Sequence, residues 1–264
     1  MKRLKQKILF LLASEKDFFY HRDFSYRPYN YLYHRLPKYQ DSSIRDACLQ
    51  MVQSGELDRL LRNREALFRL TSHGRTQLSL YFPQMARFNK SWDIVWRIAI
   101  LLPGNNKASL EKTHQAKLLA LRKMMLLLGF KPLSRGVYLC PMPVADKLKS
   151  YLIKQKLNKS IAIFEANKLI MGDNAVFGHH LWGLKNLAEQ YAKFITDCNR
   201  LLSAIKTKKD LQDKDKGSYC RLLDTFFLLL QSDPALPKKL IGFKWPFSEA
   251  KDVFFKLQKE CIDR

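Results

Sequence analysis

The chain has 264 residues, which is enough for two or three compact domains at ~100–200 residues each. Its 47 lysines and arginines outnumber 24 aspartates and glutamates, and the net charge of +23 indicates a polyanionic partner, with nucleic acid the leading candidate. No apolar stretch reaches the ~18–20 residues that span a bilayer, and the five cysteines form no C-x-x-C pair, which argues against a membrane protein, a zinc site or a disulfide framework. We therefore expect a cytoplasmic protein without a metal or another cofactor.

An amphipathic helix of about three turns opens the chain. Its apolar face consists of Leu4, Ile8, Leu9, Leu11 and Leu12. Its cationic residues lie outside this face; they are Lys2, Arg3, Lys5 and Lys7. An aromatic stretch with little periodicity follows from Phe18 to Tyr39. Its aromatic rings could fill a core, which we favour, or form a surface that stacks on bases.

A short helix with a defined start and end follows at residues 41–55. Asp41 or Ser42 can cap its N-terminus, and Gly55 is a natural C-terminal cap. Its apolar stripe consists of Ile44, Ala47, Cys48, Met51 and Val52. The opposite face carries side chains that can hydrogen-bond base edges and phosphates, and our candidate DNA contacts there are Ser42, Ser43, Arg45 and Gln50.

Two short strands around a basic turn are predicted in residues 57–70. The turn is Arg62-Asn63-Arg64, and another helix opens at residues 71–75. A helix, a glycine, a basic hairpin and a further helix, in this order, are typical of a winged helix, whose recognition helix enters the major groove while the hairpin contacts phosphates or the minor groove. Because 11 of the 17 arginines lie in residues 1–90, we add Arg59, Arg62, Arg64 and Arg75 to the candidate DNA contacts. A small domain with a solvated charged face is the alternative.

Residues 91–171 predict a basic α/β unit. A strand from Trp92 ends at Pro103 in a Pro-Gly-Asn turn, and a helix follows from Ser109 to Gly129. Two further strands, at 136–140 and 160–164, flank a helix at 144–156. The order βαβ and then αβ suits a ferredoxin-like arrangement.

Residues 172–264 are predicted to be helical. A long amphipathic helix runs from His179 to Leu202, and a charged loop at 206–216 interrupts the pattern. Near the C-terminus, the segments 233–237 and 245–246 form two proline-fixed turns joined by a short helix. We favour a structural role for these turns over contact with a ligand.

Several motifs of the chain resemble the PaaX family of phenylacetate-pathway repressors. In residues 91–171, the similar motifs are Trp92 with Trp96-Arg97, the helix end at 126–133 and the strand at 135–141. In the tail, the similar motifs are residues 233–237, Trp245-Pro246 and Ala250. The segment 44–47, with its spacing to Gly55, is similar to the family's recognition helix, although Gln50 stands where the family has a basic residue. The resemblance covers most of the chain, and the motifs occur in the family's order.

The resemblance implies a repressor that binds operator DNA as a homodimer on a pseudo-palindrome and that is released, in the phenylacetate members, by an aryl-CoA thioester. It also implies a middle domain similar to a small CRISPR-associated nuclease, whose metal site needs an aspartate at the end of the first strand. Here that strand ends Leu101-Leu102-Pro103, and Asp93 lies at its beginning. We therefore expect no enzymatic activity.

The sequence thus predicts an α+β protein with an N-terminal winged helix-turn-helix domain (1–85), a ferredoxin-like domain for dimerisation or regulation (91–171) and a helical C-terminal domain (172–264). Its expected function is sequence-specific transcription regulation on double-stranded DNA, with an acyl-CoA-type molecule as a possible effector and no membrane contact. Two alternatives stay open. One is a metal-dependent nuclease built on the middle domain, and the other is a non-specific nucleic-acid-binding protein.

Overall fold

The computed structural model describes residues 2–13, 25–82, 91–102, 112–208, 210 and 212–262. Helices and two antiparallel sheets give the chain the predicted α+β class. In chain order, the elements are α1 (Lys2–Leu12), β1 (Arg27–Pro28), α2 (Tyr29–Tyr33), α3 (Asp41–Gln53), β2 (Leu57–Arg62), β3 (Glu65–Leu70), α4 (Ser72–Tyr81), β4 (Trp96–Leu101), α5 (Lys112–Leu128), β5 (Lys131–Ser134), β6 (Val137–Cys140), α6 (Ala145–Gln155), β7 (Ile161–Ala166), α7 (Asn174–Trp182), α8 (Leu184–Lys206), α9 (Asp213–Ser232), α10 (Lys238–Ile241) and α11 (Phe247–Ile262). Among the described helices, none combines the length and the apolar composition that crossing a bilayer requires.

The chain forms two packing units. The first draws on residues 1–86, 186–233 and 245–264, and the second on residues 87–185 and 234–244. In the first unit, helices of the predicted tail share a hydrophobic core with the predicted N-terminal domain, because the ring of Phe10 lies 6.2 Å from that of Phe226 and 5.9 Å from that of Phe227. The division into 1–85, 91–171 and 172–264 stays a prediction about sequence modules, since its boundaries do not coincide with these units.

Helix α1 has the predicted extent and apolar face, but one of its cations is buried. Lys7, expected outside the apolar face, keeps 11% of its side-chain exposure and donates a hydrogen bond to Asp224 of α9. Lys38 donates to the other carboxylate oxygen of Asp224 at 2.8 Å. Burial raises the pKa of Asp224, but the hydrogen bonds from Lys38 and Lys7 outweigh burial and lower it overall. The pairing of Lys7 with this carboxylate is the reason that its charge can lie inside the unit.

Helix α3 and the turn after it follow the predicted pattern with one difference. Gln40, and not Asp41 or Ser42, occupies the N-cap position of α3 without a capping hydrogen bond from its side chain, and Asp41 is the first helical residue. The predicted stripe is buried at Ile44, Ala47, Cys48 and Met51, and Gly55 has the left-handed φ of +75° expected of a C-terminal cap.

The start of α4 lies very close to the residue that precedes β2. Thr71 caps α4 by accepting a hydrogen bond from the backbone N–H of Gly74. A Cβ at position 74 would lie 2.1 Å from the carbonyl oxygen of Glu56, a distance that no side chain permits. Glycine at this position therefore fixes how closely the hairpin and α4 pack.

The proline-containing turns near the C-terminus enclose a buried carboxylate. Asp233 is 2% exposed, and one of its oxygens accepts hydrogen bonds from the Tyr191 hydroxyl at 2.9 Å and from the Trp245 indole N–H at 2.9 Å. Burial, and then the charge of Asp233, raise the pKa of Tyr191 well above its usual range, so that the phenol stays a donor. These contacts give the Asp-Pro and Trp-Pro motifs the structural role that we favoured.

The second unit contains a four-stranded antiparallel sheet in the order β5-β6-β4-β7. The chain order of its elements is βαββαβ, and this order with this strand arrangement is the split βαβ pattern of ferredoxin-like folds. Its helices α5 and α6 cover one face, where Ala99, Leu121, Met125 and Leu148 are buried. The predicted Pro-Gly-Asn turn and the predicted helix start at Ser109 lie outside the described residues.

Three local predictions need correction or qualification. Strand β5 was not predicted, because it is only four residues long and contains a proline, which only an edge strand such as this one accepts readily. The predicted single helix from His179 to Leu202 is two helices, α7 and α8, separated by Gly183 at a left-handed φ of +62°. Of the aromatic stretch, residues 25–39 are described; Tyr29, Tyr31 and Tyr39 pack on the core, whereas Tyr33 is 43% exposed.

Candidate nucleic-acid interface

The outer face of α3 carries the candidate residues from the predicted recognition helix. Ser42 and Ser43 are exposed in its first turn, the Arg45 side chain is 64% exposed, and Gln50 is half-buried one turn further on. The buried stripe of α3 fixes the rotation of the helix, so these side chains point away from the core. The helix therefore presents a polar surface to solvent along its first half.

Two neighbouring side chains, those of Asp41 and Tyr29, hold Arg45 in place. Its Nε donates to a carboxylate oxygen of Asp41 at 2.7 Å, and its guanidinium carbon lies 5.2 Å from the centre of the Tyr29 ring. The Tyr29 hydroxyl donates to the second Asp41 oxygen at 2.7 Å. Burial, and then the hydrogen bond to Asp41, raise the pKa of Tyr29, while the hydrogen bond to Asp41 raises the pKa of Arg45. This arrangement limits the rotamers of Arg45 before any partner binds.

The hairpin of β2 and β3 presents the arginines predicted for the wing. The two strands pair in register from Leu57 with Leu70 to Arg62 with Glu65, and Asn63 and Arg64 form a two-residue loop. Both loop residues have positive φ, +50° and +64°, as a type I′ turn requires. From Arg59 to Arg64 every residue is exposed, so both faces of the hairpin end are open to solvent.

A groove with a volume of about 610 Å³ lies between α3 and the hairpin. Its lining includes Arg45 and Leu49 of α3, Arg59, Leu61 and Arg64 of the hairpin, and Tyr29. We call this space the α3–hairpin groove. Three of the eight candidate arginines and polar residues, Arg45, Arg59 and Arg64, therefore border one concave surface, although as many as 19 positions separate them in the sequence.

The other candidate residues lie outside the lining of this groove. Ser42, Ser43 and Gln50 are on α3 beside it, and Arg62 is exposed at the hairpin end. Arg75 is half-buried on α4. Arg75 is therefore the candidate that the structure places furthest from the role predicted for it.

Apolar residues of the surface were missed by the sequence analysis. Leu61 is 63% exposed on the hairpin, and Leu60 and Leu49 are exposed to nearly half. Leu49 and Leu61 line the α3–hairpin groove together with the arginines. The exposure of four consecutive strand residues, which ends the usual alternation of β2, could not be read from the sequence, since Leu-Leu in a strand ordinarily indicates burial.

In the second unit, the carboxylates of Asp93 and Glu165 pair with the guanidinium group of Arg97. The Arg97 side chain is 7% exposed; it donates to both oxygens of Asp93, at 2.9 and 2.5 Å, and to Glu165 at 3.0 Å. The hydrogen bonds from Arg97 lower the pKa of Asp93. In the part of the chain that the structure describes, no group of three or more His, Cys, Asp or Glu side chains is arranged to hold a metal ion.

Two family models match the middle and the second half of the chain. Residues 89–176 match the family model described as the PaaX protein central Cas2-like domain, and residues 182–264 match the model described as the PaaX-like protein C-terminal domain. A solved structure of an uncharacterized protein from Mycobacterium tuberculosis is similar at 17% identity and a TM-score of 0.49, over 86% of this chain and 88% of that one. No curated protein matches the sequence.

Proposed function

This chain belongs to the PaaX-like family of transcriptional regulators, and we propose that it binds specific DNA sequences through α3 and the β2–β3 hairpin. The α3–hairpin groove carries the proposal, because it brings an arginine of a short exposed helix next to two arginines of a hairpin end. The planar guanidinium group of arginine can donate two hydrogen bonds at once to a guanine edge or to a phosphate. The part of the chain from α1 to α4 then acts as a winged helix, with α3 in the major groove and the hairpin as the wing.

The charges of this surface favour a polyanion. Arg59, Arg62 and Arg64 form no salt bridge with any described residue, so their guanidinium groups are available to phosphates. Arg45 differs, because Asp41 and Tyr29 hold it in one orientation. We propose that Arg45, with Ser42, Ser43 and Gln50, contacts base edges, and that the hairpin arginines contact the backbone or the minor groove.

The finer features of the proposed regulator come from the family resemblance. We propose a repressor that acts as a homodimer on a pseudo-palindromic operator, so that two copies of α3 lie about one helical turn of DNA apart. The modules would be the reader at 1–85, the dimerisation or regulatory domain at 91–171 and the helical domain at 172–264. An acyl-CoA-type effector is part of the same proposal.

A mobility-shift titration tests the proposal directly. The full chain is titrated on the DNA upstream of its own gene and on scrambled DNA of the same composition, near physiological salt, because affinity for DNA depends strongly on salt. We expect tight binding to the upstream DNA only. Arg45→Ala should lose affinity for that DNA by about 1–3 kcal/mol with little change on scrambled DNA. The matched control is Arg200→Ala, which removes an exposed arginine of α8. Equal and weak binding to both DNAs would refute the regulator and favour a non-specific nucleic-acid-binding protein.

The nuclease alternative is tested with the same preparation. Asp93, the carboxylate on which it depends, is occupied by the buried Arg97 guanidinium. We expect no cleavage of DNA or RNA with Mg²⁺ or Mn²⁺. Metal-dependent cleavage that Asp93→Asn abolishes would establish the nuclease instead.

A further inference from the structure

A second cavity lies in the first unit, away from the α3–hairpin groove. Its volume is about 330 Å³, at the lower end of the range for small-molecule sites. It is lined by His34 and Arg35 from the segment between α2 and α3, by Lys216, Tyr219 and Cys220 of α9, and by Cys261 of α11. The described residues of the lining include an arginine, a lysine and a histidine, and none of these described residues is a carboxylate. We call it the α9 cavity.

Two buried polar groups of the α9 cavity make no well-formed hydrogen bond with any described residue, although Arg35 lies near enough to the Tyr219 hydroxyl to oppose the rise in its pKa that burial causes. They are the Tyr219 hydroxyl, on a residue that is 5% exposed, and the Nε of Arg35. A buried donor without an acceptor is costly, and native proteins contain few of them. Both groups can donate to the same kind of acceptor, an oxygen atom that carries negative charge.

The arginine is fixed in position independently of any ligand. Its guanidinium carbon lies 4.0 Å from the centre of the Tyr31 ring, and one terminal nitrogen donates to the Tyr31 carbonyl oxygen at 3.2 Å. None of the ion pairs among the described residues includes Arg35. Among the described residues, the positive charge of Arg35 therefore has no counter-ion.

The tyrosine stays neutral and keeps its proton. Burial raises the pKa of the Tyr219 phenol, and the opposing effect of Arg35 does not outweigh burial. Burial likewise raises the pKa of the Cys220 thiol, which leaves that side of the wall uncharged and weakly polar. Lys216 adds a second cation; its side chain is 63% exposed, and its Nζ lies 3.4 Å from a carboxylate oxygen of Asp213.

From this lining we infer that the α9 cavity binds a small organic oxyanion, a carboxylate or a phosphate ester of metabolite size. Arg35 and Lys216 supply the charge, Tyr219 donates a hydrogen bond, and the two cysteines border the remainder of the molecule. Such a ligand would contact α9 and the segment that leads into α3 at the same time. If the proposed DNA-binding function holds, this site is one through which a small acid changes the position of α3.

The test is a calorimetric titration of the full chain with two probes, benzoate and inorganic phosphate, at constant ionic strength and with chloride as the reference anion. We expect saturable binding of at least one probe, and the stronger one identifies the carboxylate or the phosphate class. Tyr219→Phe removes only the hydroxyl, so it should weaken binding by about tenfold while the unliganded protein becomes no less stable to heat. Lys216→Ala should also weaken binding. Tyr33→Phe, at an exposed tyrosine, is the matched control and should change nothing.

Three results would overturn the inference. One is the absence of saturable binding of either probe. Another is binding that Tyr219→Phe and Lys216→Ala leave unchanged, and the third is binding that Arg45→Ala abolishes, because the anion would then occupy the α3–hairpin groove. DNA binding is measured separately on the same Tyr219→Phe protein without a probe, so a failure of the regulator proposal is distinguishable from a failure of the oxyanion site.

Discussion

Replacing Arg64 by glycine should change DNA affinity and stability in opposite directions. Arg64 has a φ of +64° in a two-residue hairpin loop, a conformation that costs an ordinary residue roughly 1–2 kcal/mol and glycine almost nothing. Glycine gives back roughly 0.5–1 kcal/mol through the greater entropy of its unfolded backbone. The net expectation for Arg64→Gly is a gain of about 0.5–1 kcal/mol, or a rise of about 1–2 °C in Tm for a chain of this size.

The same substitution removes one cation from the proposed DNA-binding surface. If the Arg64 guanidinium neutralises one phosphate, the slope of log K against log salt should become less steep by about 0.9, which amounts to about eightfold weaker binding near 0.1 M salt. Specific and scrambled DNA should be affected alike, because a phosphate contact carries no sequence information. Arg200→Ala again serves as the control for loss of one charge in the same unit.

Fluorescence anisotropy over a series of salt concentrations, together with thermal unfolding, measures both effects. Arg64→Ala separates them further, because alanine loses the charge but keeps the strained φ, so its affinity should fall without the gain in Tm. An unchanged salt slope in Arg64→Gly would show that this arginine contacts no phosphate. A lower Tm would show that the backbone of Arg64 is not strained in this loop.

Three further substitutions test the packing of the two units. Asp233→Asn should lower the free energy of unfolding by about 1–3 kcal/mol in urea denaturation, because it weakens two buried hydrogen bonds, and an unchanged midpoint would contradict the role given to this carboxylate. Asp93→Ala should cost about 2–3 kcal/mol, since it leaves the buried Arg97 with a single carboxylate partner, and a loss below about 0.5 kcal/mol would show that the charge is relieved in another way. The folded-state pKa of Asp224 is lowered, so its carboxylate stabilises the folded protein above the unfolded pKa near ~4, and this stabilisation is lost as the pH falls further. Asp224→Asn should therefore have a lower free energy of unfolding than the parent at about pH 7, and the difference should shrink in acid.

Much of the local structure could be predicted from the sequence because short-range rules determine it. The apolar stripe of α3 and the cap at Gly55 depend on residues within one or two turns of helix, and the structure confirms both. The hairpin predicted around the turn Arg62-Asn63-Arg64 is confirmed, although Arg62 still pairs with Glu65 and the loop is only Asn63 and Arg64. The resemblance to the PaaX-like family is confirmed as well, because its motifs are continuous stretches whose residues and order are visible in the chain itself.

Contacts between residues distant in sequence were decided only by the tertiary structure. Sequence spacing placed Lys7 outside the apolar face of its helix, but α9, more than 200 residues later, supplies the carboxylate that allows its burial. The eight candidate DNA contacts were chosen from two elements and the start of a third, and only the packing of α3 against the hairpin selects Arg45, Arg59 and Arg64 as the lining of one groove. The residue pattern of the chain thus determined most of its helices, its hairpin and its charge. Which groups pair with the buried charges, and which residues form each surface, could be identified only from the tertiary structure, because both depend on the positions of several elements at once.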